Sequence, residues 1–225
     1  MSPLLRLAKS SLGKKYLMAF TGFGLFGFVV MHMLGNLQVF LGPDAINKYA
    51  HFLKSTPELL WGARLGLLAM VTVHFCVGIA LAIENMQARD QEYAVKRAVK
   101  ATLASRTMVV SGLIVLSFII YHLAHYTLLT IHPEYRNLHD DLGRHDVYRM
   151  IVLGFSSPSV VSFYVISVGL LCFHLSHGIG AMFQSLGLKN EAYVERIDCL
   201  AKIVAVGLFI GYISIPLAVQ IGMVK

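Results

Sequence analysis

Polar and apolar positions along this chain fall into long blocks rather than a short alternation. Residues 16–43, between Lys15 and Asp44, hold no Lys, Arg, Asp or Glu, and the same is true of 65–83, 107–133, 150–188 and 203–224. A helix crossing a bilayer needs about 20 apolar residues. The fourth block is too long for one crossing, and Ser156-Ser157-Pro158 within it reads as a turn followed by a helix start. The pattern predicts five membrane-spanning helices at about 16–41, 59–84, 105–131, 159–184 and 200–222, forming one all-α membrane domain over 1–225. Between the third and fourth spans, the run NLHDDLGRHDVYRMIVLGF suggests a short surface helix within 137–153. Residues 2–15 read either as a short basic interfacial helix or as a frayed tail. The first block is too long for a signal peptide and lacks a small-x-small cleavage site, so it reads as an uncleaved span.

Composition agrees. Hydrophobic residues make up 56% of the 225 and charged residues 14%, with mean hydropathy +0.67. Soluble domains carry about 25% charged residues, so a soluble globule and a disordered chain are both excluded. The three cysteines are scattered and form neither a disulfide framework nor a CxxC site. The net charge of +7 is assigned to cations at a membrane surface and not to nucleic acid. With the N-terminus inside, twelve Lys and Arg fall on inside segments and seven on outside ones, while the acidic residues divide six and six. The positive-inside rule then predicts the N-terminus inside and the C-terminus outside.

Ten histidines stand out in so apolar a chain. His51, His132, His139 and His145 fall in outside segments and read as solvated surface. His32, His74, His122 and His174 fall one in each of the first four spans. Ionisable groups at membrane depth are costly and usually functional. Counting at 1.5 Å per residue from the inside charges places His32 and His122 at about 25 Å, and His74 and His174 at about 15 Å. The four therefore sort into an outer pair, His32 with His122, and an inner pair, His74 with His174, about 10 Å apart in depth. Paired imidazoles on facing helices suit the two axial positions of a haem, and a helix-bundle core is a common place for one. His125 and His177, three residues beyond His122 and His174, are rival ligands turned by about 60°.

Several short motifs then carry a resemblance. They are Lys15, Met18-Ala19 and Thr21-Gly22; His32-Met33-Leu34-Gly35-Asn36-Leu37; Asn47 with Tyr49-Ala50; His74 with Gly78; His122; Ser156-Ser157-Pro158; and Phe173-His174 with Ser176 and Gly178. In order and spacing the chain resembles the cytochrome b membrane subunit of succinate:quinone oxidoreductases (succinate dehydrogenases and fumarate reductases), of the bacterial five-helix type with two b haems. The resemblance implies His32 and His122 as ligands of the outer haem b, and His74 and His174 as ligands of the inner one. It implies a flavoprotein partner with covalent FAD, which holds the enzyme's active site, and an iron–sulfur partner. It also implies a quinone substrate, menaquinone before ubiquinone, and a place in the bacterial cytoplasmic membrane. No catalytic residue is assigned to this chain, and a higher oligomer of the whole complex stays open. For the quinone the candidates are Glu58, then Asp140, Asp141 and Asp146 on the outer side, with Ser10, Ser11 and Lys14 on the inner. Other readings are a cytochrome b of another quinone-linked dehydrogenase, such as a formate dehydrogenase or hydrogenase, and a haem-free transporter using the histidines as a relay.

Overall fold

The computed structural model describes residues 10–88 and 107–225. In chain order they form α1 (Ser11–Asn36), a 3-10 turn (Leu37–Leu41), α2 (Pro43–Ser55) and α3 (Pro57–Gln87). Then come α4 (Met108–Tyr126), a second 3-10 turn (Pro133–Asn137), α5 (Val147–Gly154), α6 (Pro158–Ser185) and α7 (Val194–Gln220). Among the described residues there is no strand, only an isolated bridge between His139 and His145. Five helices, α1, α3, α4, α6 and α7, are long and apolar enough to cross a membrane.

Local chemistry fixes their ends. Ser10 caps α1 by accepting from the Gly13 N–H at 3.0 Å. Pro57 and Pro158 open α3 and α6, where a missing N–H costs nothing. Gly187 and Gly222 follow α6 and α7 with positive φ, as helix termination requires. The basic interfacial helix weighed for 2–15 lies partly outside the described residues. Its described end, from Ser11, continues directly into the first span.

Two expectations need correction. The third span ends at Tyr126 rather than 131. Leu129 takes the left-handed conformation, φ 53°, and the Leu128 and Thr130 N–H groups turn back to the Leu123 and Ala124 carbonyls. Leu129 is 7% exposed, so its burial offsets the conformational cost. The segment between the first two spans, for which the apolar blocks predict no element, carries the helix α2. Gly42, Pro43 at its first turn, Asp44 beside it and Lys54 in the last turn were all legible helix signals. The surface helix expected within 137–153 is α5, starting later because residues before it serve another purpose.

That purpose is a polar latch. The Asn47 side chain, 1% exposed, donates to Asp140 at 3.3 Å and Asp146 at 3.0 Å, and accepts from the Tyr148 N–H at 3.0 Å. Arg144 bridges Asp140 and Asp44. These bonds tie α2 to the 138–150 segment at one end of the bundle. At the opposite end Lys14 pairs with Glu84, and Lys189 pairs with Asp198 at 2.6 Å.

Four of the long helices form a ring: α1 packs on α3, α3 on α4, α4 on α6, and α6 on α1. The diagonal pairs, α1 with α4 and α3 with α6, are not packed along their lengths among the described residues. The fifth, α7, lies outside this ring, mainly against α6. Gly211 leaves a notch that receives Met33, and Tyr212 donates to the Val29 carbonyl at 2.6 Å, so α7 also holds α1. The core runs through Tyr164, Val168 and Cys172 of α6 and Ala205 and Leu208 of α7. The outward faces carry exposed Phe20, Phe23, Leu68, Ile203 and Ile210, a surface suited to lipid rather than water.

Candidate functional site

The ring topology decides which histidines can meet. His32 on α1 and His122 on α4 belong to one diagonal, and His74 on α3 and His174 on α6 to the other.

Across the first diagonal, the His32 and His122 ring centres lie 5.7 Å apart, edge to face at 83°. Two imidazoles bound to one metal at about 2 Å each would have ring centres about 6 Å apart. Phe28 stacks on His32 at 5.2 Å, and Phe118 leans on His122 at 6.0 Å. Asn36, one turn beyond His32, lies with its amide 3.2 Å from His32 Nε2 and also donates to the His32 carbonyl. His122 Nδ1 lies 3.4 Å from the Tyr164 hydroxyl.

The second diagonal carries His74 on α3 and His174 on α6, in matching surroundings. Each has its Nδ1 at 3.0 Å from a hydroxyl on the preceding span: Thr21 on α1 for His74, Ser111 on α4 for His174. In both cases a glycine follows the hydroxyl residue. A Cβ at Gly22 would lie 3.3 Å from His74 Cε1, and one at Gly112 3.5 Å from His174 Cε1. The bundle thus repeats a small unit, a hydroxyl plus a glycine, against each histidine of this pair. Beside Ser111 an apolar groove of about 280 Å³ opens between α4 and α6, lined by Val110, Ile114, Leu170 and Phe173.

The contacts also fix the depth of each pair. His74 lies against Thr21, and His32 is eleven residues further along the same helix. His174 lies against Ser111, and His122 is again eleven residues further along its helix. Both helices give a separation of about 16 Å, against the 10 Å expected from sequence.

Of the rival histidines, His125 separates from the favoured ones by access. His32, His74, His122 and His174 all keep partial exposure. His125 is 0% exposed, stacked on Tyr126 at 4.0 Å, with Nδ1 bonded to Tyr164 at 3.0 Å. Its Nε2 is sealed among protein atoms without a hydrogen-bond partner. A ligand as large as a porphyrin reaches it only by displacing packed side chains. His177 lies one turn beyond His174 on α6 and, like the favoured four, keeps partial exposure.

Compared with family models, curated proteins and solved structures, the chain finds no match. What the site can do therefore rests on its own geometry. Neutral imidazoles facing in pairs inside an apolar bundle can hold metal in two axial positions.

The remaining sequence candidates have structural places. Glu58 is an exposed residue in the first turn of α3, where the helix dipole favours a carboxylate. Asp140 and Asp146 belong to the Asn47 latch, and Asp141 lines a polar pocket of about 360 Å³ beside it. Ser10 caps α1, Ser11 begins it, and Lys14 is paired with Glu84. Among the surface histidines, His132 pairs with Glu134 at 2.9 Å and stacks on Tyr135, while His51 is exposed. Reading the sequence alone missed the second-row groups Ser111, Gly112 and Tyr164. Each sits in an ordinary helical context, and only the fold shows which histidine it faces.

Proposed function

We propose that the chain is a dihaem cytochrome b, the membrane anchor of a succinate dehydrogenase or fumarate reductase. The observation that carries this reading is the His32–His122 ring contact across one diagonal of the helix ring, with His74 and His174 on the two helices of the other diagonal. His32 and His122 would hold one haem b, and His74 and His174 the other. The donor set fits that group: two imidazoles per site, apolar surroundings, partial access at every ligand and glycines that make room for the His74 and His174 rings. When bound, the haems supply one-electron transfer between an iron–sulfur partner and membrane quinone.

The chain's own part is positional. The ring holds the imidazoles in place, and a haem held by two of them would have no position left for oxygen and would serve electron transfer alone. The aromatic and aliphatic side chains keep water from the pairs and hold the dielectric low. The orientation with the N-terminus inside sets the Lys14–Glu84 and Lys189–Asp198 end toward the cytoplasm, where the flavoprotein and iron–sulfur partners would dock. The basic 89–106 segment of that side lies outside the described residues. The Asn47 latch then faces outward. In this reading the membrane is a bacterial cytoplasmic membrane, the quinone is menaquinone before ubiquinone, and its site is on the outer side near Glu58.

Purification of the native complex tests this. The expected result is co-purification with a covalent flavin protein and an iron–sulfur protein, and reduction of b-type haem by succinate. A complex containing molybdenum or nickel in place of flavin would reassign the chain to another quinone-linked dehydrogenase.

A further inference from the structure

Proton accounting at the second diagonal goes further than placing ligands. A hydroxyl carries one proton and two lone pairs. Thr21 Oγ1 lies 2.6 Å from its own Leu17 carbonyl, which can only accept, so the hydroxyl proton is committed there. Toward His74 Nδ1, at 3.0 Å, Thr21 then has only lone pairs to offer, and Nδ1 must carry the N–H. Ser111 repeats the arrangement: its hydroxyl donates to the Met108 carbonyl at 3.1 Å, which leaves its lone pairs for His174 Nδ1 at 3.0 Å. In a neutral imidazole with Nδ1 protonated, Nε2 is the bare lone pair. Both histidines of this pair are thereby set in the tautomer that ligates through Nε2, by hydroxyls on the preceding span.

The first diagonal is built differently. The Tyr164 hydroxyl stands between His122 Nδ1 at 3.4 Å and His125 Nδ1 at 3.0 Å, and has one proton for the two. If His122 donates its Nδ1–H to Tyr164, Tyr164 donates to His125 Nδ1, and His125 holds its proton on Nε2. The sealed Nε2 of His125 is then an N–H with no lone pair for a metal.

We infer that Thr21 and Ser111 are positioning residues for the haem held by His74 and His174, locking ligand tautomer and ring orientation, and that Tyr164 serves only the His122 level. This deepens the dihaem reading and rests on it. An acceptor at Nδ1–H makes an imidazole more basic and favours ferric over ferrous iron, so its loss raises the midpoint potential.

The test uses the purified haem-loaded protein, with potentiometric titration, the EPR signal of each ferric haem and haem retention as readouts. The His74–His174 haem is assigned by the signal that His74→Ala removes. Thr21→Val and Ser111→Ala are expected to raise its midpoint, about 59 mV for each tenfold change in ferric-to-ferrous preference. They should also weaken its retention by about 10- to 100-fold. The other haem stays unchanged, which reports that the variant is folded, and Thr21→Ser restores the parent values. Tyr164→Phe is expected to move only the His122 haem. Two haems with parent properties in both Thr21→Val and Ser111→Ala would overturn the inference while leaving the dihaem reading intact. So would a Thr21→Ser variant that behaves like Thr21→Val. A parent protein that binds no haem would remove both.

Discussion

At the scale of single residues, the choice between neighbouring histidines turns on access. His122 and His125 lie one turn apart, and sequence spacing alone leaves either able to ligate. The structure separates them: His122 faces His32 at 5.7 Å, while His125 is sealed against Tyr126, Tyr121 and Tyr164. His122→Ala is therefore expected to abolish one haem and leave the other. His125→Gln should keep both, with at most a modest loss of stability from disturbing the Tyr164 bond. Haem counting in the two purified variants checks this, and the reverse pattern would make His125 the ligand. The four ligand candidates were legible because a histidine in an apolar span is conspicuous. Thr21, Ser111 and Tyr164 were not recognised as partners, since hydroxyls in spans commonly bond back to their own helix, as Thr72 does to the Leu68 carbonyl at 2.7 Å.

At the scale of elements, small residues set how closely the helices approach. A Cβ at Gly35 would lie 2.9 Å from Tyr49 Cε1, so this glycine admits the Tyr49 ring between α1 and α2. Gly22 leaves room for His74 in the same way. Gly22→Leu should displace that imidazole and lower haem content at the His74–His174 level alone, read as the loss of one EPR signal of two. The Asn47 latch makes a separate prediction. Asn47→Ala leaves the half-buried Tyr148 N–H without its acceptor and removes a donor from two carboxylates. The expected cost is about 1–3 kcal/mol, measurable as a lower Tm in detergent.

The latch also carries a pH dependence. Burial pushes the Asp140 carboxyl up, but hydrogen bonds from the Arg144 backbone and guanidinium and from the Leu142 N–H outweigh it and hold it below its ordinary 3.8. Burial and the nearby Lys54 hold His145 below its ordinary 6.5. Both groups bind protons more weakly folded than unfolded, so each contributes stability that is complete above its ordinary value and lost as pH falls through the lower folded one. The protection factors of the Arg144 and Tyr148 amides, taken against the intrinsic exchange rate at each pH, should therefore fall in two stages, first below pH 6.5 and again below 3.8. Protection that does not vary with pH would show that the latch does not depend on these charges. The helix α2, to which the latch attaches, escaped the sequence reading because it is short and half polar, and the search was for long apolar blocks.

At the scale of the whole molecule, the five long helices were readable from charge-free blocks, because in a bilayer each backbone must satisfy itself within its own segment. Their arrangement was not readable. Hydropathy says how many helices cross, but not that four close into a ring with α7 outside it. The expected pairing of His32 with His122 agrees with the 5.7 Å contact, while the spacing between levels grew to about 16 Å once contacts replaced counting from charges. Five crossings predict termini on opposite sides, so a protease-cleavable tag at each end should be cut from opposite faces of sealed vesicles.

The central claim is that this ring holds two haems by histidine pairs, and haem stoichiometry with reduced-minus-oxidised spectra of the purified protein tests it most directly. The account predicts two low-spin b haems per chain, one lost in His32→Ala or His122→Ala and the other in His74→Ala or His174→Ala. A properly assembled protein without haem, or one haem lost to substitutions drawn from both pairs, would contradict it.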